Sequence, residues 1–236
     1  MTKILFNQFA GEKSVDVGLK AYMQKVYGYM SGGLLLTSLT AYLGTLPFFF
    51  KLFFRVSSNS ISYSFLGWIA LLAPLFILFP FNAAVMKNDG PKAKKLFWIF
   101  SGLMGISFSS VFMFFPAANI IQALLITGGM FAGMSLYGYT TGRDLTSMGS
   151  FMTMGLFGVI LASLVNLFLQ SAALNYGLSY LIVFIFLGLT AFDTQKIRSY
   201  YTRAGGNEAL AVFGALALYL DFINIFRAIL FLTDRR

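Results

Sequence analysis

The sequence predicts an all-α fold, a polytopic membrane bundle of seven transmembrane helices. Three observations carry that reading. Of 236 residues, 58% are hydrophobic and only 11% charged, with a mean hydropathy of +0.78, where a soluble domain carries roughly a quarter charged residues. The apolar residues fall in runs of about 20, long enough to cross a bilayer as helix. Two aspartates, Asp193 and Asp221, nevertheless sit inside such runs, where an ionisable group is expensive and is by default a candidate for function.

The segments follow in order. Residues 1–25 form a basic, mixed-charge N-terminal segment; no small-residue cleavage site follows a short apolar core, so it does not read as a secretory signal. Residues 26–236 are expected to form one transmembrane domain with spans at 26–50, 60–86, 96–115, 118–140, 148–169, 176–192 and 209–232. Pro116 separates the third span from the fourth, which opens at Asn119. Gly142-Arg143-Asp144 divides the fourth from the fifth, with Arg143 and Asp144 expected as a solvated pair that also caps the fifth helix. Ser171 to Asn175 links the fifth to the sixth, and Gly205-Gly206 breaks the chain between the sixth and the seventh.

Charge sets the orientation. With the N-terminus inside, twelve basic residues face in: Lys3, Lys13, Lys20, Lys25, Lys87, Lys92, Lys94, Lys95, Arg143, Lys196, Arg198 and Arg203. Five stay out: Lys51, Arg55, Arg227, Arg235 and Arg236. The positive-inside rule therefore predicts a multi-pass protein of the cell inner (plasma) membrane with a cytoplasmic N-terminus and an outer C-terminus. A re-entrant seventh segment, the least apolar because of Asp221, Asn224 and Arg227, would put the C-terminus inside. The net charge of +9 then reports topology and headgroup attraction, with the lipid bilayer as partner and no nucleic acid. Cys and His are both absent, which removes disulfides, thiol nucleophiles and His-based zinc sites; no cofactor is expected.

Three seams of small residues, Gly28-x-x-x-Gly32, Gly129-x-x-x-Gly133 and Gly138-x-x-x-Gly142, are expected to let helices of the chain approach closely. Of the polar groups in the spans, the two aspartates stand out. Gly205-Gly206 lies midway between them; in an antiparallel hairpin both carboxylates would fall roughly 20 Å from the turn. A facing pair in low dielectric cannot easily hold two negative charges, so it is expected to share a proton and to respond to pH. Asp193 pairing with Lys196 or Arg198, and Asp221 held by Arg227 or Asn224, are the alternatives. Asn82, Asn166, Asn224 and Arg227 remain candidate path-lining groups or partners of the pair; the asparagines equally suit interhelical hydrogen bonding.

Thr190-Ala-Phe-Asp193-Thr-Gln-Lys196 and Tyr219-Leu-Asp221-Phe-Ile-Asn224, with Tyr139 to Ser150 and Ala162 to Asn166, resemble the Bax inhibitor-1 (transmembrane Bax inhibitor motif) family in its bacterial branch. The resemblance implies six helices wrapped around a central C-terminal seventh. It also implies a pH-sensitive calcium leak channel, with Asp193 and Asp221 as proton-sharing sensor and gate, making transient Ca²⁺ contacts. Some relatives instead regulate cell death or a membrane protease, so a non-transporting regulator that binds another membrane protein is the alternative. Relatives can pair one aspartate with a basic residue on the second span; here that span holds Asn82 and ends at Lys87. Enzymatic function is not expected: intramembrane aspartyl proteases use Tyr-Asp and Gly-x-Gly-Asp, whereas Phe192 and Leu220 precede these aspartates, and no His is present for a serine protease.

Overall fold

The computed structural model describes residues 2–57 and 60–234, with side chains within 17–55 and 62–234. Helix α1 (Thr2–Leu43) runs unbroken through the boundary expected at Lys25. It stops where Gly44 brings the chain against Ser109, and Pro47 opens a new helix, α2 (Pro47–Phe53), turned 93° away. The first expected span, 26–50, therefore ends early, because Pro47 fits the first turn of a helix and not its interior. An antiparallel hairpin follows, β1 (Phe54–Ser57) with β2 (Ser60–Tyr63), in register Phe54↔Tyr63. The second span thus begins five residues later than its expected start at 60, as α3 (Phe65–Met86). Ser64 fixes that start: its hydroxyl donates to the Leu52 carbonyl at 2.6 Å and accepts the Gly67 N–H at 3.0 Å.

Helix α4 (Gly90–Phe108) begins six residues before the expected 96, since Asp89 accepts the Lys92 N–H at 3.0 Å and Pro91 suits the first turn. A short α5 (Val111–Phe114) continues it. Helices α6 (Ala117–Thr140) and α7 (Thr146–Leu169) match their expected spans closely. Helix α8 (Ala172–Ala204) runs well past residue 192, to a left-handed Gly205 at φ +71°. Asn207 then accepts the Leu210 N–H at 2.9 Å and starts α9 (Glu208–Thr233). Six helices are long and apolar enough to cross a membrane (α3, α4 extended through α5, α6, α7, α8 and α9), and the number is seven where the bent pair α1 and α2 is counted as one span.

The chain forms a polytopic all-α membrane bundle with α9 at its centre. Of the apolar stretch of α9, 67% is buried, against 17–39% for the other spanning helices. Helices α1, α3, α4, α6 and α8 pack on it. Helix α7 packs chiefly on α8, leaving a crevice between itself and α9. Two apolar clusters fill the interior: one joins Val26, Phe81, Phe97, Val212 and Tyr219; the other joins Ile185, Phe186, Ile225, Phe226 and Ile229. One end of the bundle, called the basic end, carries the α3–α4, α6–α7 and α8–α9 connections. There Glu208 accepts from Tyr29 Oη at 2.7 Å and lies 3.8 Å from Lys25 Nζ, tying α9 to α1.

Two packing details bear on how the helices meet. Pro74 inside α3 cannot donate to the Ala70 carbonyl, and Ser107 of α4 donates to that carbonyl instead at 3.1 Å. Of the small-residue seams, Gly32 meets Trp98, and a Cβ at Gly138 would run into the Ala191 carbonyl of α8. Gly28, Gly129, Gly133 and Gly142 have no atom within 4 Å of where a Cβ would stand. The Gly129-x-x-x-Gly133 seam is therefore not a close approach: Gly129 and Gly133 are exposed, on the face of α6 turned from its neighbours.

Candidate functional site

Asp221 is the focus of the buried polar groups. It sits on the central helix, 4% exposed, thirteen residues after Glu208 and so about 20 Å along α9. Its Oδ2 finds no hydrogen-bond partner among the described residues. From α8 the Thr190 hydroxyl stands beside the carboxyl, and its proton goes to the Phe186 carbonyl at 2.7 Å. Asp193 follows Thr190 by three residues, hence on the same face one turn nearer the basic end. It is half-buried and within electrostatic reach of Asp221. The structure thus brings the two aspartates of the sequence reading together, on neighbouring helices.

The alternatives for these aspartates are not what the side chains do. Neither makes an ion pair among the described residues. Lys196 lies near Asp193, yet its ammonium sits 5.5 Å over the Phe192 ring. Arg198 donates to the Tyr139 carbonyl at 3.1 Å and stacks on the Tyr139 ring. Asn224 donates to Leu220 O at 2.8 Å, one turn back on its own helix. Arg227 is exposed and points into crevices beside α9.

The other two candidates lie elsewhere. Asn82 is exposed on α3 and Lys87 is exposed at its end. Asn166 is buried, but it closes the α7–α8 turn, donating to Asn175 Oδ1 at 2.6 Å and accepting the Ser171 N–H at 3.0 Å. Arg143 and Asp144 sit in the α6–α7 loop, where Asp144 accepts both the Thr146 hydroxyl (2.6 Å) and its N–H (2.9 Å). The Thr146 hydroxyl, then its N–H, hold the Asp144 carboxyl below the usual carboxylate range. Gln195 of α8 pins that loop, accepting the Leu145 N–H at 2.9 Å and donating to the Arg143 carbonyl at 2.8 Å.

Sequence reasoning missed a set of hydroxyls around the pair. Tyr27 Oη of α1 lies 2.5 Å from Ser135 Oγ of α6, which lies 3.0 Å from Thr194 Oγ1 of α8. Thr194 donates in turn to the Thr190 carbonyl at 2.8 Å. On the other face of α9, Tyr219 Oη meets Thr37 Oγ1 at 2.7 Å, and Thr37 lies 2.9 Å from the Gly33 and Ser101 carbonyls. The only sequence signal was the Thr190-x-x-Asp193-Thr194 spacing, which puts three polar groups within one turn of α8. Chemically, the arrangement holds a buried carboxyl with one oxygen unpartnered among the described residues, a second carboxyl nearby, and hydroxyls that can donate or accept.

Comparison with known proteins agrees with this architecture. Residues 19–235 match the family model described as inhibitor of apoptosis-promoting Bax1. A Rickettsia prowazekii protein is 43% identical over 230 residues, covering 95% of this chain and 94% of its own length. The inner membrane protein YbhL of Escherichia coli is 40% identical over 225 residues, 93% of each chain. A membrane protein of Streptococcus pyogenes serotype M1 is 34% identical over 222 residues, covering 93% of this chain and 95% of its own.

Proposed function

We propose, since this chain belongs to the Bax inhibitor-1 family, that this integral membrane protein is a pH-sensitive calcium leak gated by Asp193 and Asp221. The observation that carries the reading is Asp221: a carboxyl 4% exposed on the central helix, with an oxygen left unpartnered and Asp193 in reach. Nothing about packing requires an acid there, and an unsatisfied buried carboxyl oxygen costs about 1–3 kcal/mol. With one proton between them the two carboxyls are compatible neighbours; with none, they repel across a medium that screens poorly. The same negative pair attracts a divalent cation, for which carboxylates and freed carbonyls are suitable ligands. Loss of the shared proton thus both loosens α8 from α9 and makes the gap attractive to Ca²⁺.

The protein resides in the cell inner membrane, as the name of its Escherichia coli relative states for that protein, with the basic end facing the cytoplasm. The test is dye-reported Ca²⁺ entry into liposomes holding the purified chain, at steps from about pH 5 to 8, the interval where a shared carboxyl proton is lost. Asp193→Asn and Asp221→Asn should each flatten the pH profile, and the double change should add little, because both act on one element. A pH profile that survives both substitutions removes the pair as sensor. No flux at any pH leaves the alternative, a regulator that acts by binding another membrane protein.

A further inference from the structure

We infer that the crevice between α7, α8 and α9 is a binding site for an anionic glycerophospholipid, whose phosphate is held by Arg227. The inference stands on the crevice alone and not on the leak reading. Arg227 lies six residues before Thr233, so roughly 9 Å inside the end of α9 away from the basic end. A guanidinium at that depth is costly unless something neutralises it. Among the described residues it makes no hydrogen bond or ion pair, it is exposed, and no Asp or Glu lines the spaces around it.

Those spaces are two crevices flanking α9. One, of about 670 Å³, runs between α7, α8 and α9. The other, of about 610 Å³, lies against α3 and α4. The polar lining of the first, Asn175, Arg227, Asn224, Ser163 and Ser179, lies in the half away from the basic end, beside the apolar Leu164, Leu167 and Phe231; nearer the basic end the lining is apolar, with Leu156 and Phe186. Its rim includes Ile160, Leu164 and Leu167, which are 48%, 52% and 70% exposed; the crevice therefore opens sideways, toward lipid. The volume falls within the range of pockets that hold small ligands, about 300–1,000 Å³.

The chemistry selects the ligand. A planar guanidinium presents a fork of donors that matches two phosphate oxygens, and the apolar part of the crevice takes an acyl chain. A free phosphate would leave that apolar part unfilled. A zwitterionic headgroup would bring an ammonium to a place with no described carboxylate to meet it, so a net negative headgroup, as in phosphatidylglycerol, fits best.

The test is native mass spectrometry of the detergent-purified full chain given equimolar phosphatidylglycerol and phosphatidylcholine, repeated with inorganic phosphate in excess. Wild type should retain one phosphatidylglycerol in preference, by about tenfold or more, as expected for a charge-assisted contact. Arg227→Gln should lose that preference, and Arg227→Lys should keep part of it, since the charge remains but the fork does not. Ser163→Phe, which fills the crevice and leaves Arg227 in place, should lose the bound lipid as well. Equal retention of both lipids by wild type, or a preference unchanged in Arg227→Gln or Ser163→Phe, would overturn the assignment. Complete displacement by inorganic phosphate would also overturn it, because the site would then be one for free anions.

Discussion

Replacing Asp221 by Val should leave the bundle as stable as before, or more so, while removing its response to pH. Val occupies little more space than the carboxylate it replaces, and the site is buried beside α8. Removing Asp221 eliminates one buried oxygen without a partner, worth about 1–3 kcal/mol. It also takes away the contact with Thr190, worth about 0.5–1.5 kcal/mol; Thr190 keeps its bond to the Phe186 carbonyl, so no new orphan is created. The balance is a change of roughly 0 to 2 kcal/mol in favour of folding. Were Asp221 instead half of a buried ion pair, breaking the pair would cost about 3–5 kcal/mol. The gap between these outcomes is wide enough to measure by equilibrium unfolding in mixed micelles at pH 7, with Ca²⁺ flux followed on the same preparations. A loss of 3 kcal/mol or more would falsify the reasoning, because it would make Asp221 a structural tie and not a group kept for function at the expense of stability.

Gly138→Ala should destabilise by about 1–3 kcal/mol, because its Cβ would strike the Ala191 backbone carbonyl, whereas Gly129→Ala should stay within about 0.5 kcal/mol in open space; thermal unfolding of the two variants side by side checks this. Single cysteines at Ser62 and Thr202, in a chain with no cysteine of its own, should react with an impermeant reagent from opposite faces of intact cells; labelling from one face would overturn the orientation. Asp144 has a depressed carboxyl pKa, from the Thr146 hydroxyl and N–H. Its contribution to the α6–α7 loop is therefore present above the unfolded carboxyl pKa and lost as pH falls through the folded value. Amide exchange at Thr146 should accordingly quicken on acidification relative to Asp144→Asn, and an equal response in both would refute that contribution.

The spans were legible where apolar runs are bounded by residues that cannot continue a helix. Pro116, the Gly142-Arg143-Asp144 loop and Gly205-Gly206 set the limits of α6, α7 and α9. Sequence reading failed where hydrophobicity and backbone geometry part company. Residues 47–50 are as apolar as any span, yet Pro47 starts a new direction there. Residues 193–204 are polar yet helical, and Gln195 and Arg198 of that stretch bond to the α6–α7 region. Asp193 and Asp221 were visible because charge in an apolar run is conspicuous. Tyr27, Ser135 and Thr194 were not, since a hydroxyl in a membrane helix ordinarily bonds to its own preceding turn. Only the packing of α1, α6 and α8 reveals that these three meet.

The central position of α9 also constrains how the protein is made. Every helix that packs on it, α1, α3, α4, α6 and α8, precedes it in the chain. Synthesis at about 5–20 residues per second delivers those helices to the bilayer first. Until α9 emerges, the faces that will hold Val212, Leu218 and Ile225 have nothing to close upon. The bundle is therefore closed from the inside, by a helix that follows in the chain all of those it packs upon.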